Sequence, residues 1–173
     1  MPQISIRRGR VLRAASLAAA IALLTTGGAL AAAGGRGTVT TTQQFRDISL
    51  FDSPQAITNP CTGEAGMLTA IAHTAVFHTT SFTTGTGFWL TTTAEGTATF
   101  TPTDPNGVTA SGHFAEWHGV SINNRNEVQH DTSTFQLRGT DGSHIAVHEV
   151  VHFSINANGV VTVSFDNVGV HCG

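Results

Sequence analysis

The chain contains no lysine and no tyrosine, and it has only two cysteines, two methionines and two tryptophans. Of its eight arginines, four lie within the first 13 residues: Arg7, Arg8, Arg10 and Arg13. Beyond them, four arginines stand against eleven acidic residues, which leaves a net charge of −7 with histidine neutral. Such a chain has few cations to neutralise phosphate groups, so nucleic acid and anionic membrane are excluded as expected partners.

Sequence motifs of the common enzyme classes are also scarce. The chain has no Gly-x-Ser-x-Gly sequence, which carries the nucleophile of many hydrolases, and no glycine-rich loop of the kind that binds phosphate. A helical period does not persist over ten residues beyond the N-terminal segment. Threonine, glycine, valine, isoleucine and phenylalanine are abundant instead, a composition typical of β-sheet proteins.

Residues 1–33 have the three parts of a secretory signal peptide. The arginines are followed by an apolar run from Ala14 to Leu30 and then by small residues that include Ala31 and Ala33. A retained membrane anchor is the alternative, but residues 25–28 interrupt the apolar run before it reaches the roughly 20 residues of a span. We therefore expect cleavage after Ala33, release to the extracellular space, and a single antiparallel β domain over residues 34–173.

The two cysteines, Cys61 and Cys172, are an even number in a chain expected to be exported. Oxidation is the usual fate of cysteines in that compartment, so we expect a disulfide, with two free thiols as the alternative. The bond would span a separation of 111 residues. In the chain-entropy model a loop of that length stabilises the folded state by about 4 to 5 kcal/mol.

Alternating apolar residues and turn signals predict seven or eight strands. The runs lie at residues 44–51, 67–82, 88–93, 97–101, 111–122, 127–137, 143–155 and 160–172. Glu95–Gly96 and Asn158–Gly159 are candidate hairpin turns, and residues 52–64 are a candidate linker. A bulge near Asp166–Asn167 would bring all the apolar residues of the last strand to one face. Long strands joined by hairpins favour an up-and-down β-barrel, with a β-sandwich as the alternative.

Residues His148, Glu149 and His152 match the HExxH motif, in which two histidines bind zinc and the glutamate activates water. That chemistry requires a helix, which places residues four apart one above the other. The β-branched and aromatic residues of the segment 144–155 predict a strand instead, and no third ligand follows at the expected spacing. A zinc-dependent hydrolase with Glu149 as the base is therefore an alternative hypothesis, and no cofactor is expected in the leading one.

Nine histidines fall after residue 70, and they are the most numerous candidate binding groups. In an extended segment 144–155, Ile145, Val147 and Glu149 would share the core face, while three histidines would share the other face. That other face would line either solvent, as is usual for half-exposed antiparallel strands, or a polar lumen. Two further histidines on a neighbouring run could join them across strands. The resulting candidate ligand-binding set is His113, His118, His144, His148 and His152. Trp89 and Trp117 are expected to fill the core, with a role as platforms for a ligand as the alternative.

Two segments carry a resemblance to a known group. The segment 59–64, which reads Asn-Pro-Cys-Thr-Gly-Glu, and the closing Asn-Ala-Asn-Gly turn at 156–159 with Cys172 resemble small secreted actinobacterial proteins of unassigned function. The resemblance spans most of the chain after the signal peptide. It implies a disulfide between Cys61 and Cys172, and it implies no catalytic role, since Glu149 is not part of the pattern.

The leading hypothesis is a secreted, non-enzymatic β-barrel that binds a small amphipathic ligand in its lumen or at its mouth. The candidate contacts are the five histidines named above. A zinc hydrolase is the second hypothesis, and a structural or surface-interaction module without a pocket is the third.

Overall fold

The computed structural model describes residues 37–85, 87–123 and 125–173, so the predicted signal peptide lies outside the described residues. These residues form nine β-strands and no helix. The strands are β1 (Thr38–Phe45), β2 (Ile48–Ser49), β3 (Gln55–Thr58), β4 (Ala65–Phe82), β5 (Gly87–Pro102), β6 (Ala110–Asn123), β7 (Asn126–Gly139), β8 (His144–Ile155) and β9 (Val161–Cys172). No helix in this part of the chain is long and apolar enough to cross a membrane.

All nine strands belong to one antiparallel sheet. Each strand from β4 to β9 pairs with the next strand in the chain, and β1, β2 and β3 pair with successive stretches of β4. The predicted all-β, single antiparallel domain is confirmed. The strand pairs among the described residues leave β1 to β3 at one edge and β9 at the other, so hydrogen bonds do not close the sheet into a barrel.

Strict alternation of buried and exposed residues gives the sheet an inner and an outer face. The inner face carries the core, which is concentrated where β4 begins and β7 ends. Its aromatic members are Phe77, Phe100, Phe114 and Phe135, and Leu68 and Leu137 belong to the same cluster. Phe114 and Phe135 stack on neighbouring strands with ring centroids 5.9 Å apart. Alanines fill the places beside these rings, so large and small side chains interdigitate as in other close-packed cores.

A β-bulge in β4 changes which residue parity faces inward. The pairing with β5 runs from Ala72 opposite Gly96 to Thr74 opposite Glu95, so His73 is an extra residue. Leu68, Ala70 and Ala72 are buried before the bulge, and Ala75 and Phe77 are buried after it. The two faces of the segment 67–82 look mixed in the sequence because the bulge shifts the alternation by one residue.

Two predictions about turns and linkers are wrong. Glu95–Gly96 is not a hairpin turn, since β5 is continuous from Gly87 to Pro102. Gly96 is required for another reason: a Cβ there would overlap the backbone carbonyl of Ile71 in the bulged strand. The predicted linker at 52–64 contains β3, a short strand that completes the edge beside β4.

The predicted bulge near Asp166–Asn167 is also wrong. Pairing of β9 with β8 is regular there and shifts only between Ser154 and Ile155, beside the closing turn. As a result Asp166 shares the inner face with Val168 and Val170, while Val163 and Phe165 face outward and are exposed. An edge strand can leave some of its apolar residues in solvent, so apolar character alone does not place a residue of β9 on the inner face.

The predicted disulfide between Cys61 and Cys172 is present, with the two Cα atoms 5.7 Å apart. Cys61 is held by a tight turn, in which the side-chain oxygen of Asn59 accepts hydrogen bonds from the backbone N–H groups of Cys61 and Thr62. Gly63 completes this turn at a φ of 77°, a left-handed conformation that glycine adopts without strain. Because Cys61 follows one edge of the sheet and Cys172 ends the other, the sheet curls until its edges meet at this end.

Candidate ligand-binding site

The HExxH residues lie on β8, in the extended conformation predicted for them. His148 and His152 face outward, and Glu149 faces inward and is buried. Four residues of a strand span roughly 13 Å, so one zinc ion cannot bind both imidazoles at its bond length near 2 Å. His148 bonds instead to the Thr134 hydroxyl on β7 at 3.0 Å. The geometry that the motif needs for metal hydrolysis is absent from this strand.

The structure separates the five histidines predicted as a ligand-binding set. His118 alone faces inward, beside Asp131. The other four lie on the outer face, where alternation along β6 and β8 places them: His113, His144, His148 and His152. A set that spans both faces cannot line one lumen.

The prediction that both tryptophans fill the core is wrong. Trp89 and Trp117 lie on the outer face and are 42% and 39% exposed. The Trp89 ring nitrogen donates a hydrogen bond to the Ser121 hydroxyl at 2.6 Å. Both residues have the opposite parity from the buried residues of their strands, and neither strand has a bulge that would turn them inward.

Sequence reasoning missed a group of acidic residues on the inner face. They lie beside the core, on the side away from the disulfide. Four consecutive strands each contribute one carboxylate, and we call this group the acidic belt. Its members are Glu116 of β6, Asp131 of β7, Glu149 of β8 and Asp166 of β9. Registered pairing aligns them, since Ser133 stands between Glu116 and Glu149, and Val151 stands between Asp131 and Asp166.

Burial and mutual repulsion raise the pKa values of two belt carboxyls. The pKa of Glu149 is raised to about 7, first by burial and then by the negative charges of Asp166, Asp131 and Glu116, although a hydrogen bond with Ser133 opposes the rise. The pKa of Glu116 is also raised, by burial and by Asp131, while His118 acts in the opposite direction. The neighbouring hydrogen bonds and the imidazole of His118 therefore do not fully offset the burial and mutual repulsion of the belt carboxylates.

One imidazole is the only basic side chain that pairs with a belt carboxylate in the described part of the chain. His118 bonds to Asp131 through its Nδ1 atom, and the only other ion pair in the described part of the chain joins His73 and Asp47. No arginine of that part pairs with a belt carboxylate. Beside His118, the hydroxyl of Thr92 is buried on the same face and has no hydrogen-bond partner.

The belt lies between two apolar regions. On one side is the core of Phe114 and Phe135. On the other, towards the ends of the strands, inner-face apolar residues become half-buried or exposed, and we call them the apolar rim. They are Val120 and Ile122 of β6 and Phe153 and Ile155 of β8, and Gln129 and Glu127 of β7 stand between them. An acidic group beneath an apolar opening suits a ligand with a cationic end and an apolar end.

A cavity at the closed end is not a candidate site. It lies among Asn59, Leu68, Phe100, Leu137 and Ile145 and holds about 30 Å³, which is room for roughly two water molecules. Its lining is almost wholly apolar. The inner face near the belt is therefore the candidate ligand-binding site.

Comparison of the chain with protein-family models, curated proteins and solved structures finds no match. The resemblance of the segments 59–64 and 156–159 to secreted actinobacterial proteins stays an expectation. What the structure adds is a physical role for the first segment, whose turn holds Cys61 in the position that the disulfide needs.

Proposed function

We propose that this protein is an extracellular binding protein whose inner face takes a small amphipathic organic cation. The acidic belt would bind the cationic group, and the apolar rim would cover the apolar part. Four carboxylates against a single imidazole is the observation that carries the proposal. The disulfide supports an oxidising, extracellular setting.

The charge balance of the belt favours a cationic ligand. Buried carboxylates are stabilised by a paired cation or by taking up a proton. No lysine exists in the chain, and no arginine reaches the belt within the described residues. An ammonium group at the belt would supply the missing positive charge and donate hydrogen bonds to the carboxylates, and these charge-assisted bonds are the stronger kind.

The rim favours an organic ligand over a bare metal ion. Val120 and Phe153 flank the belt, and Ile122, which is 40% exposed, stands at the opening. Covering these side chains would contribute about 25 cal/mol for each Å² removed from water. A calcium ion gains nothing from such a surface, since it requires six to eight oxygen ligands.

Calorimetric titration with a matched pair of ligands tests the proposal. 3-Phenylpropylamine and 3-phenylpropionate share a ring and a chain length but carry opposite charges. We expect the amine to bind at pH 8 and the carboxylate to bind at least tenfold more weakly. Equal binding of both, binding of neither, or binding of calcium in place of the amine would each contradict the proposal.

Matched variants locate the ligand. Glu149→Gln and Glu116→Gln each remove one belt charge with little change of shape, and we expect each to weaken amine binding at least fivefold. Glu95→Gln removes an exposed carboxylate from the outer face of β5, so its binding should equal that of the parent. Loss of binding in Glu95→Gln alone would place the ligand outside the belt.

A further inference from the structure

We propose that His130 and His152 form an open two-histidine site on the outer face for a divalent transition-metal ion. The two residues are directly opposite each other on β7 and β8. They differ from the HExxH pair, because His152 is joined here by a partner on the neighbouring strand. We call them the histidine pair.

The distance between the two imidazoles suits a shared ion. Their Nδ1 atoms are 3.5 Å apart, and the ring planes are perpendicular, with centroids at 5.4 Å. Two nitrogens bound to one tetrahedral ion at about 2.05 Å each would lie roughly 3.3 Å apart. Hydrogen bonds donated by N–H groups to oxygen are shorter, with donor–acceptor distances of about 2.7 to 3.2 Å. The pair is therefore loose as a hydrogen bond and almost correctly spaced as a chelate.

Neighbouring aromatic rings hold both imidazoles in place. Phe165 of β9 stacks on His152 with an interplanar angle of 10°, and the Trp117 ring meets His130 at a centroid distance of 5.5 Å. Trp117 reaches His130 because Gly119 leaves space for it, since a Cβ at Gly119 would overlap the indole. Rings fixed in this way lose little freedom when a metal binds.

Other outer-face histidines lack this arrangement. His148 bonds to the Thr134 hydroxyl at 3.0 Å, and His78 bonds to the Thr42 hydroxyl at 2.8 Å. Within the described residues no group of three or more metal-binding side chains is close enough to hold an ion. The histidine pair would thus supply two ligands, and water or an external molecule would supply the rest. Imidazole ligands select copper, nickel and zinc over calcium and magnesium.

Trp117 provides the reporter for a test. In a Trp89→Phe background it is the only tryptophan left, and the chain has no tyrosine, so indole fluorescence comes from beside the pair. Bound Cu²⁺ quenches a nearby indole. We expect saturable quenching with one ion per chain, weaker apparent binding for Ni²⁺ and Zn²⁺ in competition, and no response to Ca²⁺.

The matched variants are His152→Phe, which keeps a ring on Phe165, and His148→Phe, which changes a histidine on the same face of the same strand. We expect the first to weaken Cu²⁺ binding at least tenfold and the second to change it less than twofold. Electron paramagnetic resonance of Cu²⁺ on the unsubstituted protein should show two imidazole nitrogens, and this measurement does not depend on how a variant folds. Fewer than two nitrogens, or equal loss in both variants, would overturn the site.

Discussion

Glu149 shows that a strand separates the side chains of the HExxH motif, whereas a helix would bring the two histidines together. Its two histidine neighbours in the HExxH sequence lie on the outer face, where His152 stacks on Phe165, and its own carboxyl is buried on the inner face. Alternation alone produces this separation. The residue that the motif presents as a catalytic base is instead a member of the acidic belt.

The raised pKa of Glu149 makes stability depend on pH. The pKa rises from 4.5 to about 7 on folding, so the folded state holds this proton more tightly than the unfolded state. The stabilisation from that proton is complete below about pH 4.5 and is lost as the pH rises through about 7. Glu149→Gln, which cannot ionise, should therefore be more stable than the parent at pH 8, by on the order of 1 to 2 kcal/mol, and about equal at pH 5.

Urea unfolding at pH 5, 6, 7 and 8 measures this difference. The other carboxylates that act on Glu149 are Asp166, Asp131 and Glu116, and they remain in the variant. Glu95→Gln, on the outer face, serves as the control and should follow the parent at every pH. A constant difference between Glu149→Gln and the parent from pH 5 to pH 8 would contradict the expected titration.

At the scale of one element, β4 shows how an extra residue preserves a core. His73 is the additional residue of the bulge, and Ala72 and Thr74 are already paired with consecutive residues of β5. The side chain of His73 is exposed, with its Nδ1 atom 2.9 Å from Asp47 and its Nε2 atom 2.9 Å from the Thr97 hydroxyl. The inward parity on each side of the bulge therefore depends on this residue being unpaired.

Deleting His73 should be tolerated better than deleting a regularly paired residue of the same strand. Without His73, Ala72 and Ala75 keep their partners and faces, so we expect a loss of about 1 to 2 kcal/mol. Deleting Thr69, which is exposed and paired with Thr99, would shift neighbouring residues to the wrong face and should cost more than about 3 kcal/mol. Thermal unfolding of both deletions compares them, and equal losses would contradict the bulge argument.

Most long strands could be predicted from the sequence because alternation and turn residues mark them. The segments 111–122 and 127–137 fall within β6 and β7, and the segment 143–155 begins one residue before β8 and ends with it. Bulges could not be placed, since a bulge reverses parity without changing composition. The short strand β3 was missed because its pairing with β4 is a tertiary contact that no local sequence pattern indicates.

The acidic belt could not be predicted either, because its position depends on how the strands pair. Glu116 and Glu149 both alternate with core residues, so their inward orientation was readable from each strand separately. Their proximity was not readable, because it requires the register between β6, β7 and β8. The inward orientation of Asp166 was also obscured by the bulge that was wrongly predicted in β9. One available signal was left unused: a glutamate on the core face of a predicted strand.

At the scale of the whole molecule, the disulfide joins the two edges of the sheet, which no strand pairing among the described residues connects. Cys61 lies beyond β3 at one edge of the sheet, and Cys172 lies at the end of β9, the opposite edge. The core lies near this bond, whereas the acidic belt and apolar rim lie towards the other end of the strands. The disulfide therefore links the two edges at the end of the sheet that is farther from the belt and rim.

Reducing the disulfide should lower the free energy of unfolding by about 4 to 5 kcal/mol, since the bond closes a 111-residue loop in the unfolded chain. Guanidinium unfolding with and without a reductant measures the change. The double variant Cys61→Ser and Cys172→Ser is the control and should not respond to reductant. Equal midpoints for the oxidised and reduced parent would show that the link contributes nothing.

The unbroken succession of neighbouring hairpins from β4 to β9 also has a kinetic consequence. Every pairing along that path joins segments adjacent in the chain, so each requires only a short connection to close, and proteins rich in such local contacts fold faster than those with distant pairings. The link between Cys61 and Cys172 is the exception, because its two ends approach only once all the intervening hairpins are laid side by side. We therefore expect Cys61 and Cys172 to be oxidised last, after the strands have paired.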